Sequence, residues 1–415
     1  MAYIPLAKAF HMDSSSSRLA DNKRAALARL KADSSFRTGI VTEHGELFCA
    51  VPRELTVLTE KVLRLERVVS SKLDELPLIA KAALILGLVV DEVVSTNDLE
   101  GVRSTRAQIR EALDRAVAGP ENLSAKRFRE LARLYVEISD KSLTLPESPA
   151  DIRAIYDRVM QGEDTAGLPE DGTMFRKGGV DIIGGGGKVV HRGVEPESKI
   201  VSMLSGMLEL LNSEDAPEVY SSIMAHYVFE YIHPFYGGNG RTGRFLLAVY
   251  LGRPLSLLTT LSLSRAIAEN RSAYYRSFRE VEDPLNHGEL TFFVINMLET
   301  VRVAQSKLVE MLEDKARQLE STTAAVNSMA DTYELSDQEK EVVYMLSQFT
   351  LFSSFPEAML HEIATQIQLG EQMTRKHLKS LERHGLVFRS GTRPMRFSLT
   401  DRAKRELGLS DATAL

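Results

Sequence analysis

The chain has 415 residues, 44% of them hydrophobic and 26% charged, with a formal net charge of −6 at pH 7. This length predicts about two or three domains, and the net negative charge excludes a global attraction to nucleic acid. The single cysteine, Cys49, excludes an intrachain disulfide and a cysteine-based zinc cluster. The N-terminus lacks a signal-peptide pattern, and the longest apolar stretch, residues 82–90, is far below the roughly 20 residues that span a bilayer. We therefore expect a cytoplasmic protein with no membrane partner.

The first 160 residues are predicted to be mainly helical, because apolar residues recur there at helical spacing. The predicted helices span residues 23–31, 52–69, 77–93, 109–117, 125–138 and 152–160. A polar segment at residues 95–101 follows the third of these helices. It contains Thr96, Glu100 and Gly101.

Residues 167–194 differ from the preceding sequence, because they are rich in glycine and contain two short apolar runs that favour β-strands. The runs comprise Val180, Asp181, Ile182 and Ile183, and then Lys188, Val189 and Val190. Four consecutive glycines, residues 184–187, lie between them. Two such runs around a glycine-rich turn predict a β-hairpin. Everything else in the first 300 residues is predicted to be helical.

The most distinctive segment, residues 233–244, reads His-Pro-Phe-Tyr-Gly-Gly-Asn-Gly-Arg-Thr-Gly-Arg and lies between two predicted helices. Glycines let backbone N–H groups turn inward, and a helix N-terminus adds partial positive charge. Arg241 and Arg244 are three residues apart on one helix face, and their guanidinium groups suit phosphate oxygens. His233 precedes this cradle and could act as a general base toward a hydroxyl. Each piece alone is more typical of a capped turn or an ordinary histidine; together they predict a polyphosphate site.

This segment resembles the Fic motif, His-Pro-Phe-x-(Asp/Glu)-Gly-Asn-Gly-Arg-x-x-Arg, at every defined position except one. The resemblance covers about residues 80–300 and implies a mainly α fold: a helical core with a small β-hairpin flap. It also implies an adenylyltransferase that moves AMP from ATP to a Tyr, Ser or Thr hydroxyl of a protein target or of the chain itself. In that reaction His233 would deprotonate the hydroxyl.

The resemblance assigns the phosphates of ATP to residues of the motif. Asn239 and the backbone amides of Gly238 and Gly240 would hold the α- and β-phosphates. Arg241 would also contact the phosphates, and Arg244 would bind the γ-phosphate. The predicted hairpin would be the flap to which a target segment adds as an extra strand.

The exception in the motif is Gly237, at the position where the family has an acidic residue that holds Mg²⁺. Three interpretations stay open. A metal could bind through phosphates and water alone, or through a carboxylate elsewhere, such as Asp181 on the flap. The enzyme could act slowly without metal, supported by Arg241 and Arg244. Finally, the chain could bind nucleotide without transferring AMP, or transfer a different group.

Thr96, Glu100 and Gly101 resemble the family's inhibitory motif, (Ser/Thr)-x-x-x-Glu-(Gly/Asn), in the class where it precedes the core. The carboxylate of Glu100 would pair with Arg244 and occupy the γ-phosphate site. Without the downstream motif, the same residues would more simply be an ordinary helix end. In related proteins this glutamate also supports removal of AMP, so an AMP-removing enzyme is an alternative that the missing metal ligand disfavours.

The last 80 residues are predicted to form a winged helix-turn-helix, from two helices at residues 357–367 and 371–384 and two strands at residues 385–389 and 395–399. Residues 371–405 contain ten basic and three acidic residues, which suits a DNA partner. Gln372, Thr374 and Arg375 begin the predicted recognition helix and could reach base edges. Packing or protein contacts are the alternative use of this unit.

The predicted organisation is an N-terminal helical region with the inhibitory helix at 1–115, a Fic catalytic core at 116–305, a helical linker at 306–333 and a winged helix domain at 334–415. The main alternative to an autoinhibited adenylyltransferase is a catalytically impaired, nucleotide-sensing DNA-binding regulator. A homodimer is compatible with the sequence, although no feature indicates one.

Overall fold

The structure is a computed structural model that describes residues 3–116, 123–165, 167–183, 187–392 and 395–409. Most of the predicted glycine turn, residues 184–186, lies outside the described residues. The helices are α1 (Leu6–Met12), α2 (Arg18–Leu30), α3 (Arg53–Glu75), α4 (Leu78–Leu99), α5 (Arg106–Ala116), α6 (Leu123–Ser139), α7 (Pro149–Val159), α8 (Glu197–Asn212), α9 (Glu218–Ile232), α10 (Asn239–Leu251), α11 (Leu257–Thr260), α12 (Leu263–Glu269), α13 (Arg271–Val281), α14 (Thr291–Thr332), α15 (Asp337–Phe352), α16 (Leu360–Gln366), α17 (Glu371–Arg383) and α18 (Asp401–Glu406), with a short 3-10 helix at Pro284–Asn286. The strands are β1 (Ser35–Thr42), β2 (Gly45–Ala50), β3 (Asp181–Ile183), β4 (Val189–Arg192), β5 (Ala358–Met359), β6 (Val387–Thr392) and β7 (Met395–Leu399).

The chain divides into two compact units, each described by itself. The first contains Met1–Arg67 and Val89–Ser306, and the second contains Val68–Leu88 and Lys307–Leu415. The second unit therefore includes residues 68–88, which the sequence analysis groups with the N-terminal region. Within the described residues, no helix combines the length and the apolar character needed to cross a membrane.

The mainly helical fold class is confirmed. The prediction that the first 300 residues are helical everywhere outside the hairpin at residues 180–190 is wrong, because β1 and β2 form a second hairpin. Strands β1 and β2 pair antiparallel, with Phe36 opposite Cys49. The last four residues of β2, from Leu47 to Ala50, are all buried. A strand that is buried on both faces has no alternation of apolar and polar residues, so its sequence does not show the period of two that signals a strand.

The first unit is centred on α9 and α10, the two helices that flank residues 233–238. Every residue of α10 is buried, including the polar residues of its first two turns, and so are nearly all residues of α9. The chain breaks after α9 at His233, which adopts the left-handed conformation (φ 51°) before Pro234. Helix α10 then begins after Gly238, whose φ of 76° favours glycine. The loop between these helices is thereby held by the core on both sides.

The second unit contains the long end of α14, helices α15–α18 and a three-stranded sheet in the order β5-β7-β6. Helix α14 continues without a break to Thr332, through the segment predicted as a linker. Helix α15 begins at a capping box in which Ser336 and Glu339 bond each other's backbone N–H groups. Thr374 is fully buried and donates a hydrogen bond to the Gly370 carbonyl. The expectation that Thr374 reaches base edges is therefore wrong, because its position on α17 faces the packed side.

Candidate active site

Arg244 on α10 is the centre of the site, and its side chain is only 2% exposed. Its Nη2 donates to Oε1 of Glu100 at 2.8 Å, and its Nε donates to the Thr96 hydroxyl at 2.9 Å. Burial alone would lower the pKa of Arg244, but the charge of Glu100 outweighs it and raises the pKa. Burial likewise opposes ionisation of Glu100, yet the charge and hydrogen bond of Arg244 hold the pKa of that carboxyl below its usual value. The two groups form a charged pair across 144 residues of sequence.

Gly101, the residue after Glu100, allows the chain to turn at the end of α4. Its φ is 70°, a left-handed conformation with open space around the position of an added Cβ. Its N–H donates to the Asp98 carbonyl at 3.0 Å and closes the end of α4. The structure thus places Thr96 and Glu100 on Arg244 and puts Gly101 at the turn that ends the helix.

His233 lies at the C-terminus of α9, and burial lowers its pKa to about 4, with the charges of His191 and Arg176 adding to the effect. Its imidazole is therefore neutral at pH 7 and able to accept a proton. A neutral base is the state that hydroxyl activation requires.

Arg176 fixes the backbone of His233 and was missed by the sequence analysis. Its fully buried guanidinium donates to four carbonyls, those of His233 (2.7 Å), Ile232 (3.1 Å), Val194 (2.6 Å) and Gly178 (2.7 Å). Gly178 and Val194 flank the hairpin β3–β4, so one side chain ties both ends of the hairpin to the catalytic candidate. An arginine in a glycine-rich stretch gives no sequence signal for such burial, because arginine is mostly exposed.

Replacing Arg176 with methionine is expected to destabilise the first unit by at least about 3 kcal/mol, because several buried carbonyls lose a charged donor. Thermal and urea unfolding would measure the loss. The matched control is Arg192→Met on β4, whose side chain is 79% exposed and whose loss should change stability by no more than about 0.5 kcal/mol. Similar losses in both variants would contradict this role.

The loop before α10 is closed by Asn239. Its Oδ1 accepts from the Phe235 N–H at 3.0 Å, and its Nδ2 donates to the Phe235 carbonyl at 2.7 Å. The Phe235 ring is buried and stacks on Tyr156, with 3.5 Å between ring centroids. The side-chain amide of Asn239 is thus engaged by the loop itself. Gly238, Gly240 and the other residues of the first turn offer backbone N–H groups to an anion.

Arg241, the second predicted phosphate ligand, is also paired. Its Nη1 lies 2.5 Å from Oε1 of Glu163, and the two side chains are 5% and 8% exposed. Its Nη2 lies 3.2 Å from Sδ of Met160. Glu163 follows α7 in an irregular segment and was not predicted. A bound polyphosphate would have to share Arg241 with this carboxylate or displace it.

Gly237 has room for a side chain, because an added Cβ would meet its nearest heavy atom, Cδ1 of Leu168, at 3.7 Å. Asp181, the alternative metal ligand, pairs with Arg192 at 3.2 Å across the hairpin and is 44% exposed. No cluster of three or more His, Cys, Asp or Glu side chains suited to a metal ion occurs in the described part of the chain. The residues present therefore do not reproduce the family's Mg²⁺ site.

The predicted hairpin forms, with shifted ends. Strand β3 starts at Asp181 rather than Val180, and β4 starts at Val189 rather than Lys188 and extends to Arg192. Three of the four apolar side chains of the two strands are exposed: Ile183 (57%), Val189 (44%) and Val190 (36%). Such exposed apolar edges suit the addition of another strand.

His191 on β4 anchors the hairpin. Its Nδ1 lies 3.1 Å from Oε1 of Glu282, and its Nε2 lies 2.7 Å from the Tyr231 carbonyl. Burial alone would lower the pKa of His191, but the hydrogen bond and charge of Glu282 outweigh it and raise the pKa. The two ring nitrogens thus join β4 to α9 and to the segment after α13.

One cavity of about 470 Å³ is lined by residues of α9, α10 and the hairpin β3–β4. Its lining includes His233, Arg244, Glu100 and Gly240 on one side and Ile182 and Ile183 of the hairpin on the other. This volume lies in the range of small-molecule sites. His233, Arg244 and the hairpin therefore share one cavity, in which Arg244 is paired with Glu100.

Known proteins similar to this chain indicate its family and its fold. The chain is 25% identical over 200 residues to a probable protein adenylyltransferase of Aquifex aeolicus, covering 47% of this chain and 56% of that one. It therefore spans little more than half the length of that curated relative.

Solved structures were compared as well. A Fic family protein from Desulfovibrio desulfuricans G20 has a TM-score of 0.51 at 18% identity, covering 85% of this chain and 97% of that chain. Fic-1 from C. elegans has a TM-score of 0.45 at 20% identity, covering 63% and 74%. The first likeness shows the fold alone. Residues 146–251, which hold the hairpin, α9, the motif and α10, match the Fic/DOC family model, and the chain accordingly contains a Fic/DOC family domain.

Proposed function

We propose that the chain is an autoinhibited protein adenylyltransferase that moves AMP from ATP to a hydroxyl of a protein target or of itself. The observation that carries this proposal is the shared cavity of neutral His233 and buried Arg244, with Glu100 seated on Arg244. The name of the Aquifex relative, a probable protein adenylyltransferase, supports the same reaction class.

The proposed reaction is a single displacement at the α-phosphorus. The imidazole of His233 takes the hydroxyl proton as the oxygen forms a bond to phosphorus, and the bond from phosphorus to the bridging oxygen of the β-phosphate breaks. AMP stays on the target oxygen, and pyrophosphate leaves with the electron pair. The first turn of α10, with Arg241 and Arg244, would stabilise the negative charge on the phosphates. We derive no step through a metal, because Gly237 supplies no carboxylate.

The proposed brake is the Glu100–Arg244 pair. A γ-phosphate and the Glu100 carboxylate would compete for the same guanidinium, and both are negative. While Glu100 holds Arg244, ATP would bind weakly or with its phosphates misplaced. Thr96 reinforces the pair, since both its hydroxyl and its carbonyl accept hydrogen bonds from Arg244.

The reaction is tested by incubating Glu100→Gly protein with α-labelled ATP, beside a Glu100→Gly/His233→Ala control. Label that stays on protein and depends on His233 would support AMP transfer. Binding of ATP without any label on protein would instead support the second candidate, a nucleotide-sensing regulator. The lack of a metal ligand at Gly237 is the observation that favours this candidate.

In that case we propose that the second unit, with α16 and α17 before strands β6 and β7, is a winged helix that binds DNA. A salt-dependent gel shift would test this binding.

Restoring the acidic residue of the motif is expected to create a dependence on Mg²⁺. Gly237→Asp in the Glu100→Gly background should raise labelling about tenfold or more when Mg²⁺ is added, because the ion would stabilise charge on the leaving pyrophosphate. The matched control is Gly237→Asn, which has the same size without the charge. An equal response of both variants to Mg²⁺ would count against the carboxylate as the missing element.

A further inference from the structure

Two glycines in the first two turns of α10 each lie against a carboxylate. A Cβ added to Gly240 would lie 2.1 Å from Oε1 of Glu100, and a Cβ added to Gly243 would lie 2.2 Å from Oε1 of Glu230. Gly240 and Gly243 are three residues apart, so they share one helix face. Arg244 is adjacent to Gly243, and its charge acts on both carboxylates. Glu230 is thus a second carboxyl group at the start of the motif helix.

Glu230 differs from Glu100 in lacking a partner. Its Oε1 is enclosed and has no hydrogen-bond partner among the residues that the structure describes. The residue lies one turn before His233 on α9 and lines the same cavity as Arg244 and His233. A buried polar atom without a partner is costly. Glu230 as a whole is only half-buried and lines the cavity, so its other carboxyl oxygen is the atom that a ligand would reach.

The surrounding charges decide which form of Glu230 is present. Burial, the largest cause, and the charge of Glu100 together raise its pKa to about 8, against the opposing charges of Arg244 and His191. The neutral phenol of Tyr274 on α13 faces the same group. With Glu100 ionised on Arg244, Glu230 is a neutral acid at pH 7. A neutral acid can donate a hydrogen bond to an anionic oxygen, whereas a carboxylate would repel it.

We propose that Glu230 belongs to the nucleotide site and that its protonated carboxyl donates a hydrogen bond to a phosphate oxygen of the bound nucleotide. The proposal rests on the nucleotide site of the proposed function, but not on AMP transfer. It makes nucleotide affinity depend on one proton. Deprotonation of Glu230 replaces a donor with a negative charge beside the phosphates, so affinity falls as pH rises.

The test is the binding of an ATP analogue with a methylene bridge between the α- and β-phosphates, measured by calorimetry from pH 7 to 9.5 in the unmodified chain, which keeps the Glu100 charge that helps to raise the pKa of Glu230. Affinity is expected to fall toward the limit of about tenfold per pH unit above the pKa of Glu230. Glu230→Gln keeps a donor that cannot ionise, so its affinity should stay within about twofold across this range. Glu230→Met removes the donor and should bind about tenfold more weakly at pH 7.

Glu218→Gln is the matched control, because Glu218 is exposed on the first turn of the same helix. It should keep the pH dependence. A pH dependence that persists in Glu230→Gln, or equal affinity of Glu230→Gln and Glu230→Met, would overturn the proposal. If no protein binds the analogue at any pH, the nucleotide site itself fails. Binding that behaves as expected, together with absence of label from α-labelled ATP, would refute AMP transfer alone.

Discussion

Replacing Glu100 with glycine is expected to raise self-modification from α-labelled ATP by about tenfold to a hundredfold at subsaturating ATP. The pair with Arg244 is a charge-assisted hydrogen bond of 2.8 Å in a site where Arg244 is buried. Such bonds contribute about 1.5–3 kcal/mol, and about 1.4 kcal/mol corresponds to a factor of ten. Removing the carboxylate frees Arg244 for the γ-phosphate without touching His233. Initial rates of label incorporation would measure the effect.

The matched control is Asp98→Gly. Asp98 is an exposed carboxylate in the last turn of α4, two residues before Glu100, so its replacement removes the same charge beside the end of the helix. Its rate should stay within about twofold of the unmodified chain. Equal labelling by the unmodified chain and Glu100→Gly, with ATP binding intact in both, would show that the Glu100–Arg244 contact is not a brake.

The sequence predicts those parts of this site that lie in short, ordered motifs. Residues 233–244 form one contiguous segment with a defined helix on either side, so its glycines, base and arginines can be interpreted together. The hairpin was predicted for the same reason, since apolar runs flank a glycine turn. Glu100 and Arg244 are 144 residues apart, and only the resemblance to a known family connects them in the sequence.

The supporting residues could not be predicted, because their roles depend on tertiary contacts without a local pattern. Glu163 lies in an irregular segment and meets Arg241 across 78 residues. Arg176 lies in a glycine-rich stretch that is typical of an exposed loop, yet it is fully buried. Glu230 is one polar residue on an otherwise buried helix. Its function depends on what faces it, and helical periodicity does not carry that information.

His233→Ala in the Glu100→Gly background is expected to lower label incorporation by about 10²- to 10⁴-fold, the usual contribution of a positioned general base. Binding of the methylene analogue should stay within about twofold, since the phosphate-binding groups on α10 are retained. Retained binding of the analogue would show that the variant is folded and that only the transfer of AMP is lost. Label within a few-fold of the parent would place the base elsewhere.

The charge state of His233 offers a check that does not depend on turnover. Burial lowers its pKa to about 4, against an ordinary value near 6.5, so its ring should remain neutral as pH falls through 6.5 and become protonated only near pH 4. In spectra of histidine labelled in the ring, the signal missing from His233→Ala should therefore stay at the neutral position down to about pH 5. A titration midpoint near 6.5 would mean that the ring is not held in the dry position seen here. It would then be about one-quarter protonated at pH 7, while its neutral fraction would be a stronger proton acceptor than a ring with a pKa near 4.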